Sequence, residues 1–283
     1  MDTSRTGELV RQEKETAKRK IMVASWGLLV LLTVASITVA ASGIDAASHG
    51  GAAPPQAGSA QAVGEAPQGS ATLLDAYRHV EVASVSDAIE QLLGKRMYLS
   101  HRMRPLFTTR FAGYALTVRL VKQENHDPHA VDGMLGAIDK GEKDSVYVMS
   151  IEDGADFAGM GGLMGTAMAA RDFSGAIIDG AVRDTAYLKK IGFPVYATGV
   201  APSTLVGHYR CAGSQIPVVI DGVAIHPGDV ITADSDGVVI VPRARAVDVL
   251  RLAQQLDFKE HSMYPLIEKS KSIEDAVKQF GRL

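Results

Sequence analysis

The hydrophobic pattern divides the chain into a polar start, one uncharged apolar segment, a linker and a long periodic region. Residues 1–20 are polar, and residues 21–44 contain no charged side chain, so the pattern predicts an N-terminal hydrophobic helix. Residues 45–71 are rich in Gly, Ala, Pro, Ser and Gln without an apolar period, which is typical of a flexible linker. Apolar periodicity begins at Thr72, so we expect a folded domain over residues 72–283.

The uncharged segment 21–44 is long enough to cross a bilayer, which needs about 20 apolar residues. This length favours an uncleaved anchor, because the apolar part of a signal peptide spans roughly 7–15 residues. The small residues at 39–41 favour cleavage instead, and both alternatives stay open. Basic residues 18–20 are expected to keep the N-terminus cytoplasmic. We therefore expect a periplasmic domain whose only membrane contact is the segment 21–44.

Helical and strand patterns alternate along the folded region. Helical spacing is predicted over 73–93 with a start at Ser84, and over 132–140, 166–171 and 185–191. Strand patterns are predicted over 111–121, 145–151, 175–178, 195–198, 217–220 and 237–241. The pattern from Ala244 to the end is helical again. This order predicts an α/β domain of layered sheets with C-terminal helices.

Composition and charge exclude some classes of function. Hydrophobic residues make up 46% of the 283 residues, which is enough for one sizeable core. The net charge of -3 gives no basic face for nucleic acid, so we expect no nucleic-acid partner. Cys211 is the single cysteine and cannot form a disulfide within the chain. The sequence has no Cys/His cluster of the kind that binds zinc.

Two segments carry residues suited to ligand binding. Residues 159–165 form a glycine-rich loop before a predicted helix, where backbone N–H groups can approach an anion. The alternative there is a tight turn. Residues 177–184 run from an apolar strand into a predicted glycine turn and end in adjacent Arg183 and Asp184. An arginine fork suits a carboxylate and an aspartate suits a hard cation, although Asp184 could instead cap its helix.

Other polar groups give weaker signals. His126, Asp127 and His129 have spacing that could bind a metal, but a hydrophilic loop is the preferred interpretation. The residues at 234–236 indicate a turn before a strand. Ser203 lacks the flanking glycines of a nucleophilic serine, so an acyl-transfer site is not favoured.

Several motifs together resemble the RraA-like family, which includes metal-dependent 4-hydroxy-4-methyl-2-oxoglutarate aldolases and the regulator of ribonuclease activity A. They are GAIIDGAVRD at 175–184, PVYATGVAP at 194–202, IPVVIDGVAIHPGDVITADSDGVVIVP at 216–242 and EKSKSIEDAVKQFGRL at 268–283. The resemblance implies a layered β/β/α fold of the swivelling-domain type. It also implies a homotrimer or homohexamer with sites between subunits.

The resemblance assigns the Arg-Asp pair. It implies that Arg183 binds and polarises the substrate as the catalytic residue and that Asp184 holds a divalent metal, expected to be Mg2+ with Mn2+ as the second candidate. It further implies that a supporting set of loop residues binds the substrate carboxylate: Gly161, Gly162, Leu163 and Met164. It also implies that Glu260, contributed by a neighbouring subunit, helps to hold the metal through a water molecule.

The chain departs from the family pattern at two positions. The aldolases carry an acid in the glycine loop that helps activate water as the proton acceptor, and Gly162 stands in its place. Thr198 stands where the family usually has an arginine. Without the acid we expect slow aldol cleavage and faster decarboxylation, and a positive φ at Gly162 would resist replacement by aspartate.

The resemblance implies a divalent-metal-dependent lyase that acts on a pyruvate-type 2-oxo acid. The expected activity is that of a 4-hydroxy-4-methyl-2-oxoglutarate aldolase with oxaloacetate decarboxylase activity. The alternative is a non-catalytic binding or regulatory protein that retains the fold. A methyltransferase function finds no support, because no glycine-rich nucleotide pattern with a following acidic residue is present.

The orientation of the segment 21–44 is testable with reporter fusions. Alkaline phosphatase fused after Leu283 should be active, because the basic residues 18–20 favour export of everything that follows. A reporter that works only in the cytoplasm should be inactive at the same position. The reverse pattern would contradict an extracytoplasmic location.

Overall fold

A computed structural model describes residues 70–281 of the protein. The predicted hydrophobic segment 21–44 and most of the linker 45–71 lie outside the described residues. Between residues 70 and 281, no helix has both the length and the apolar character needed to cross a membrane.

The described residues alternate between helices and strands. The helices are α1 (Ser70–Arg78), α2 (Val82–Leu93), α3 (Asp132–Lys140), α4 (Gly162–Ala170), α5 (Thr185–Lys190), α6 (Ala246–Ser270) and α7 (Ile273–Phe280). The strands are β1 (Arg104–Pro105), β2 (Phe111–Lys122), β3 (Ser145–Ile151), β4 (Ala158–Met160), β5 (Gly175–Val182), β6 (Val195–Val200), β7 (Tyr209–Ser214), β8 (Val218–Ile220), β9 (Val223–Ile225), β10 (Val230–Ala233) and β11 (Val238–Val241). A short 3-10 helix spans Arg243–Arg245.

The main sheet of the described domain is mixed. Its strand order is β1-β6-β5-β3-β2-β10-β11, with β4 beside β5 and β7 beside β2. The central strands β2, β3, β5 and β6 are parallel, and β1, β7, β10 and β11 join antiparallel. Strands β8 and β9 form a separate hairpin. The carboxyl ends of β3, β5 and β6 therefore meet at one edge, where ligands usually bind in α/β sheets.

Three apolar clusters build the layers. One cluster joins one face of the central strands to α3, α4 and α5, and a second joins the opposite face to the β8–β9 hairpin. The third packs α1, α2 and α6 against β10 and β11. Because both faces of β2 are covered, the strand is buried almost throughout and does not alternate between core and solvent. The predicted mixed α/β fold is confirmed.

Several predicted boundaries were wrong. The expected glycine turn at Asp179-Gly180 is part of β5, which continues to Val182. A Cβ atom on Gly180 would lie 2.8 Å from Ile151 Cδ1, so the glycine serves close packing within the sheet. Helix α2 begins at Val82 rather than Ser84, because its amide acceptors come from distant parts of the chain.

The short strands were missed altogether. They are β1, β4, β7, β9 and β10. Strands β1, β4, β7 and β10 pair with strands that are distant in sequence, whereas β9 is a three-residue strand in a local hairpin with β8. By contrast, the bounds of α3 and β3 agree with the predicted ranges 132–140 and 145–151.

Asp234 ties the turn between β10 and β11 to the start of α2. Its Oδ2 accepts the N–H of Val82 at 3.1 Å, and its Oδ1 accepts the N–H of Asp236 at 3.0 Å. Arg110 lies 3.6 Å from the same carboxylate, which is buried. The predicted turn at 234–236 is therefore present, and it also caps a helix.

Replacing Asp234 should destabilise the fold. Asp234→Ala should lower the free energy of unfolding by about 1–3 kcal/mol, because the buried N–H of Val82 loses its acceptor. Urea denaturation followed by circular dichroism measures the change. The neighbouring Asp236→Ala, at an exposed side chain, should change stability by less than about 0.5 kcal/mol. Equal losses in the two variants would contradict the capping role.

Candidate functional site

The Arg-Asp pair lies directly beyond the carboxyl end of β5. The backbone N–H of Arg183 donates to the carbonyl of Met160 at 2.9 Å, which continues the pairing of β4 with β5. Asp184 then adopts a left-handed conformation with φ of 56°, and its carbonyl accepts the N–H groups of Tyr187 and Leu188, each at 3.0 Å. The turn that presents both side chains is therefore made by Asp184 itself, a residue type that tolerates this conformation.

The Asp184 carboxylate does not cap its own helix α5. Its Oδ2 instead accepts the N–H of Gly162, the first residue of α4, at 2.8 Å. Gly161 permits this approach, because a Cβ atom there would lie 2.7 Å from the same oxygen. The predicted alternative that Asp184 caps its own helix is therefore wrong, and its carboxylate caps α4 instead.

Arg183 is exposed, yet its guanidinium is held in place. Nη1 donates to the carbonyl of Ser203 at 3.1 Å. The hydroxyl of Ser203 donates to the carbonyl of Asp156 at 2.6 Å and accepts the N–H of Ala158 at 3.0 Å. Ser203 therefore fixes the loop after β6 to the segment before β4, and Arg183 rests on that loop.

An open cleft of about 430 Å³ lies beside the pair. Its lining residues are Arg183, Asp184, Val200, Ala201 and Pro202. One wall carries a guanidinium and a carboxylate, and the other is apolar. This arrangement suits a small ligand that has a negatively charged end and a compact carbon skeleton.

The start of α4 supplies backbone donors next to the pair. Helix α4 begins at Gly162 and not at the predicted Thr166, so the glycine loop is shorter than expected. The N–H of Gly162 is engaged by Asp184. Within residues 70–281, the N–H groups of Leu163 and Met164 have no acceptor. Two of the four residues predicted to bind a substrate carboxylate thus present free amides at a helix N-terminus.

Asp184 is the one carboxylate that lines the cleft. Across the described part of the chain, no group of three or more His, Cys, Asp or Glu side chains is arranged to hold a metal ion. One carboxylate oxygen fits a hard cation such as Mg2+, which usually keeps several waters. The donor set therefore suits Mg2+ better than zinc.

Glu260 lies on α6 and does not line the cleft of its own chain. Its carboxylate accepts the hydroxyl of Tyr264 at 2.7 Å. The predicted role of Glu260 as a water-mediated metal partner from a neighbouring subunit stays a prediction. Thr198 is partly buried in β6 and is not among the residues that line the cleft.

The polar loop before α3 is held by contacts within the chain. Asp127 accepts Arg210 Nη1 at 3.0 Å, and His129 Nδ1 lies 2.7 Å from Asp132 Oδ2. The guanidinium of Arg210 and the N–H of His129 hold the pKa of Asp127 below its usual value, with the N–H as the larger cause. These contacts agree with a hydrophilic loop rather than a metal site.

Sequence reasoning missed two residues near this edge of the sheet. Asp179 is half-buried in β5, and burial raises the pKa of its carboxyl group, with a further contribution from the charge of Asp221. Tyr187 lies in the first turn of α5, and its ring contacts the start of α4. No local pattern marks either residue, because the raised pKa of Asp179 and the packing of Tyr187 both depend on neighbours that are distant in sequence.

Comparisons with known proteins agree with this fold. DlpA of Legionella pneumophila is 27% identical over 74% of this chain, although the matched part spans 34% of DlpA. A Halalkalibacterium halodurans protein named "Putative 4-hydroxy-4-methyl-2-oxoglutarate aldolase" is 26% identical over 63% of this chain and 80% of its own length.

A solved structure has a similar fold. An uncharacterized protein from Pseudomonas syringae pv. tomato is 28% identical, covers 78% of this chain and all of its own, and has a TM-score of 0.68. The family described as RraA-like, Aldolase/RraA, matches residues 82–240, and this range contains β5, α4 and the Arg183–Asp184 pair. The match covers more than half of the 283 residues, and the chain belongs to the RraA-like family.

Proposed function

We propose that the protein is a divalent-metal-dependent carbon–carbon lyase that acts on a pyruvate-type 2-oxo acid. The observation that carries this proposal is the fixed pair of Arg183 and Asp184 beside two free amides at the start of α4. The aldolase names of several relatives, one of them 33% identical over 46% of this chain, support a lyase.

Arg183 supplies a positive charge that needs no rearrangement during the reaction. Its guanidinium is anchored on the carbonyl of Ser203 and faces the cleft. Cleavage next to a 2-oxo group leaves negative charge on the keto oxygen, and a fixed cation at that point lowers the barrier. The N–H groups of Leu163 and Met164 would hold the substrate carboxylate, since a helix N-terminus favours an anion.

Asp184 would hold the metal ion. Oδ2 is bonded to the N–H of Gly162, and no bond engages Oδ1 among the described residues, so that oxygen is free for a cation. A bound Mg2+ or Mn2+ would supply Lewis-acid stabilisation of negative charge on the substrate. The protein would therefore supply one carboxylate oxygen to the cation, and substrate and water would supply its other ligands.

The cleft needs a neighbouring surface to exclude water. Val200, which lines the cleft, is 64% exposed, and Leu163 at the start of α4 is 90% exposed. Large apolar side chains in such positions mark interaction surfaces. A second copy of the chain in a trimer or hexamer would cover them and could bring Glu260 to the site.

The same proposal places the reaction outside the cytoplasmic membrane. The uncharged segment 21–44 and its preceding basic residues 18–20 support export. A regulatory role toward a ribonuclease would need a cytoplasmic partner, so the export signal favours an enzyme.

Pyruvate release tests the function and the role of Asp184 together. Purified protein with Mg2+ should release pyruvate from oxaloacetate or 4-hydroxy-4-methyl-2-oxoglutarate, and a chelator should stop it. Asp184→Asn should weaken Mg2+ binding by at least about 10–100-fold, because the charged oxygen is lost. Coupled pyruvate assays and calorimetric Mg2+ titration measure both effects.

Asp184→Asn and Asp184→Ala form a matched pair. Asparagine tolerates the left-handed backbone and can still accept the N–H of Gly162, whereas alanine loses both properties. Only the alanine variant should lose thermal stability. Unchanged Mg2+ affinity in both variants would limit Asp184 to capping α4. Absence of pyruvate from either substrate would favour the non-catalytic alternative.

Assembly is testable by light scattering. Residues 72–283 expressed alone should form a trimer or hexamer, because the cleft and the exposed Leu163 and Val200 need a partner surface. Leu163→Glu should shift the assembly toward monomer, and the exposed Val219→Glu on the β8–β9 hairpin should serve as the control. A stable monomer at micromolar concentration would contradict the shared-site arrangement.

A further inference from the structure

A second cavity, of about 760 Å³, lies between the end of α2, the β8–β9 hairpin and the segment that follows β11. It shares no lining residue with the cleft beside Arg183. Its volume is within the range of about 300–1,000 Å³ that is typical of sites for small organic ligands. The proposed function gives this cavity no role.

One part of the cavity wall is apolar. The apolar lining residues are Leu92, Leu93, Met97, Val223, Ala224 and Pro242. They come from three separate parts of the chain, and Val223 is itself buried in β9. Leu92 is 38% exposed although its side chain is large and apolar. Such a wall suits a ligand with a compact apolar body, whose binding would remove this surface from water.

The other part of the wall carries three permanent cations, Lys95, Arg96 and Arg245. Among residues 70–281, neither Lys95 nor Arg96 forms an ion pair with a carboxylate. The guanidinium of Arg96 packs over the ring of Tyr98, 4.5 Å from its centroid, which leaves the N–H groups at its edge available. Arg245 Nε lies 3.2 Å from Asp248 Oδ2, and such an exposed pair contributes little stability and occupies one donor.

Asp229 is the one carboxylate that lines this cavity, and the backbone already engages both of its oxygens. Oδ2 accepts the N–H of His226 at 2.8 Å, and Oδ1 accepts the N–H of Arg243 at 3.0 Å. The ring of His226 also lines the cavity, with Nδ1 3.6 Å from Asp229 Oδ2. Asp229 therefore ties the turn before β10 to the segment after β11, and it forms no ion pair with the three cations.

The charges of the lining indicate the class of ligand. Three cations and one carboxylate leave an excess of two positive charges, in a chain whose net charge is -3. A phosphate monoester carries about 1.5–2 negative charges at pH 7 and has three acceptor oxygens, whereas a carboxylate carries one charge. Guanidinium groups also match phosphate oxygens in pairs.

We propose that this cavity binds an organic phosphate monoester with a compact apolar body. Lys95, Arg96 and Arg245 bind the phosphate, and the apolar wall covers the body of the ligand. The site is independent of the proposed lyase activity, since the two cavities have no lining residue in common.

Calorimetric titration of the full-length protein with phenyl phosphate tests the site. Phenyl phosphate should bind at least about 10-fold more tightly than inorganic phosphate, which lacks the ring, or benzoate, which lacks the second charge. Lys95→Met and Arg245→Met should each weaken binding by about 10-fold, because each removes a charged donor and keeps an apolar stem. The control is Lys143→Met, at an exposed lysine outside the cavity, and it should leave the affinity unchanged.

A variant that fills the cavity tests its location. Ala224 is exposed on β9, so Ala224→Trp should preserve the Tm of the protein alone and occupy the space of the ligand. Phenyl phosphate at about 100 times its Kd should raise the wild-type Tm by about 5–10 °C, because the ligand binds the folded state. The Ala224→Trp variant should show no such rise.

Each other outcome counts against the site. Equal affinity for inorganic phosphate or benzoate overturns the assignment to a phosphate monoester. An unchanged affinity in Ala224→Trp, or in both cation variants, places phenyl phosphate elsewhere on the protein. A changed assembly of Ala224→Trp in light scattering identifies the cavity as a contact between copies instead. Pyruvate release by Lys95→Met and Arg245→Met should equal that of wild type, and its absence in every protein overturns the lyase proposal alone.

Discussion

The hydrogen bond from the N–H of Gly162 to Asp184 Oδ2 holds the candidate site together. It connects the end of β5 to the start of α4, two elements whose contacting residues are 22 positions apart in sequence. Without it, a helix that begins with glycine would have no side-chain cap, because Gly161 offers none. The same bond sets the direction of the Asp184 carboxylate and leaves the next two amides of α4 open. Ligand binding and helix capping therefore depend on one side chain.

This double role limits what Asp184 can contribute. A carboxylate has two oxygens, and the capping bond occupies one of them. The charge on the other still favours a cation, and the neighbouring Arg183 is held away by its bond to Ser203. The arrangement explains why the Arg183 anchor matters: a free guanidinium beside Asp184 would form an ion pair with it and would neutralise both groups. The loop fixed by Ser203 keeps the two charges available for a ligand.

The sequence predicted those parts that local pattern controls. The bounds of α3 and β3 and the adjacency of Arg183 and Asp184 follow from periodicity and motif. The extension of β5 through Gly180 was not predictable, because it depends on close packing against Ile151 on another strand. The early start of α4 depends on the cap that Asp184 supplies from beyond the end of β5. Single-sequence patterns carry no information on such long-range pairs, so the position of Arg183 and Asp184 after a buried strand was predictable and the contacts around them were not.

Charge explains why the absence of an acid at Gly162 matters beyond proton transfer. The described cleft contributes one positive and one negative group, Arg183 and Asp184, which together are neutral. A 2-oxo dicarboxylate with a divalent cation is also neutral, so ligand and cation can enter without leaving excess charge. A second carboxylate next to Asp184 would face it at close range, where like charges about 4 Å apart repel by about 1 kcal/mol in water and about 4 kcal/mol near a protein surface. That repulsion would be relieved only when a cation is bound. Glycine at position 162 therefore keeps the empty cleft free of this repulsion, and the cleft of the described chain then lacks both a base and a second carboxylate that could attract the metal.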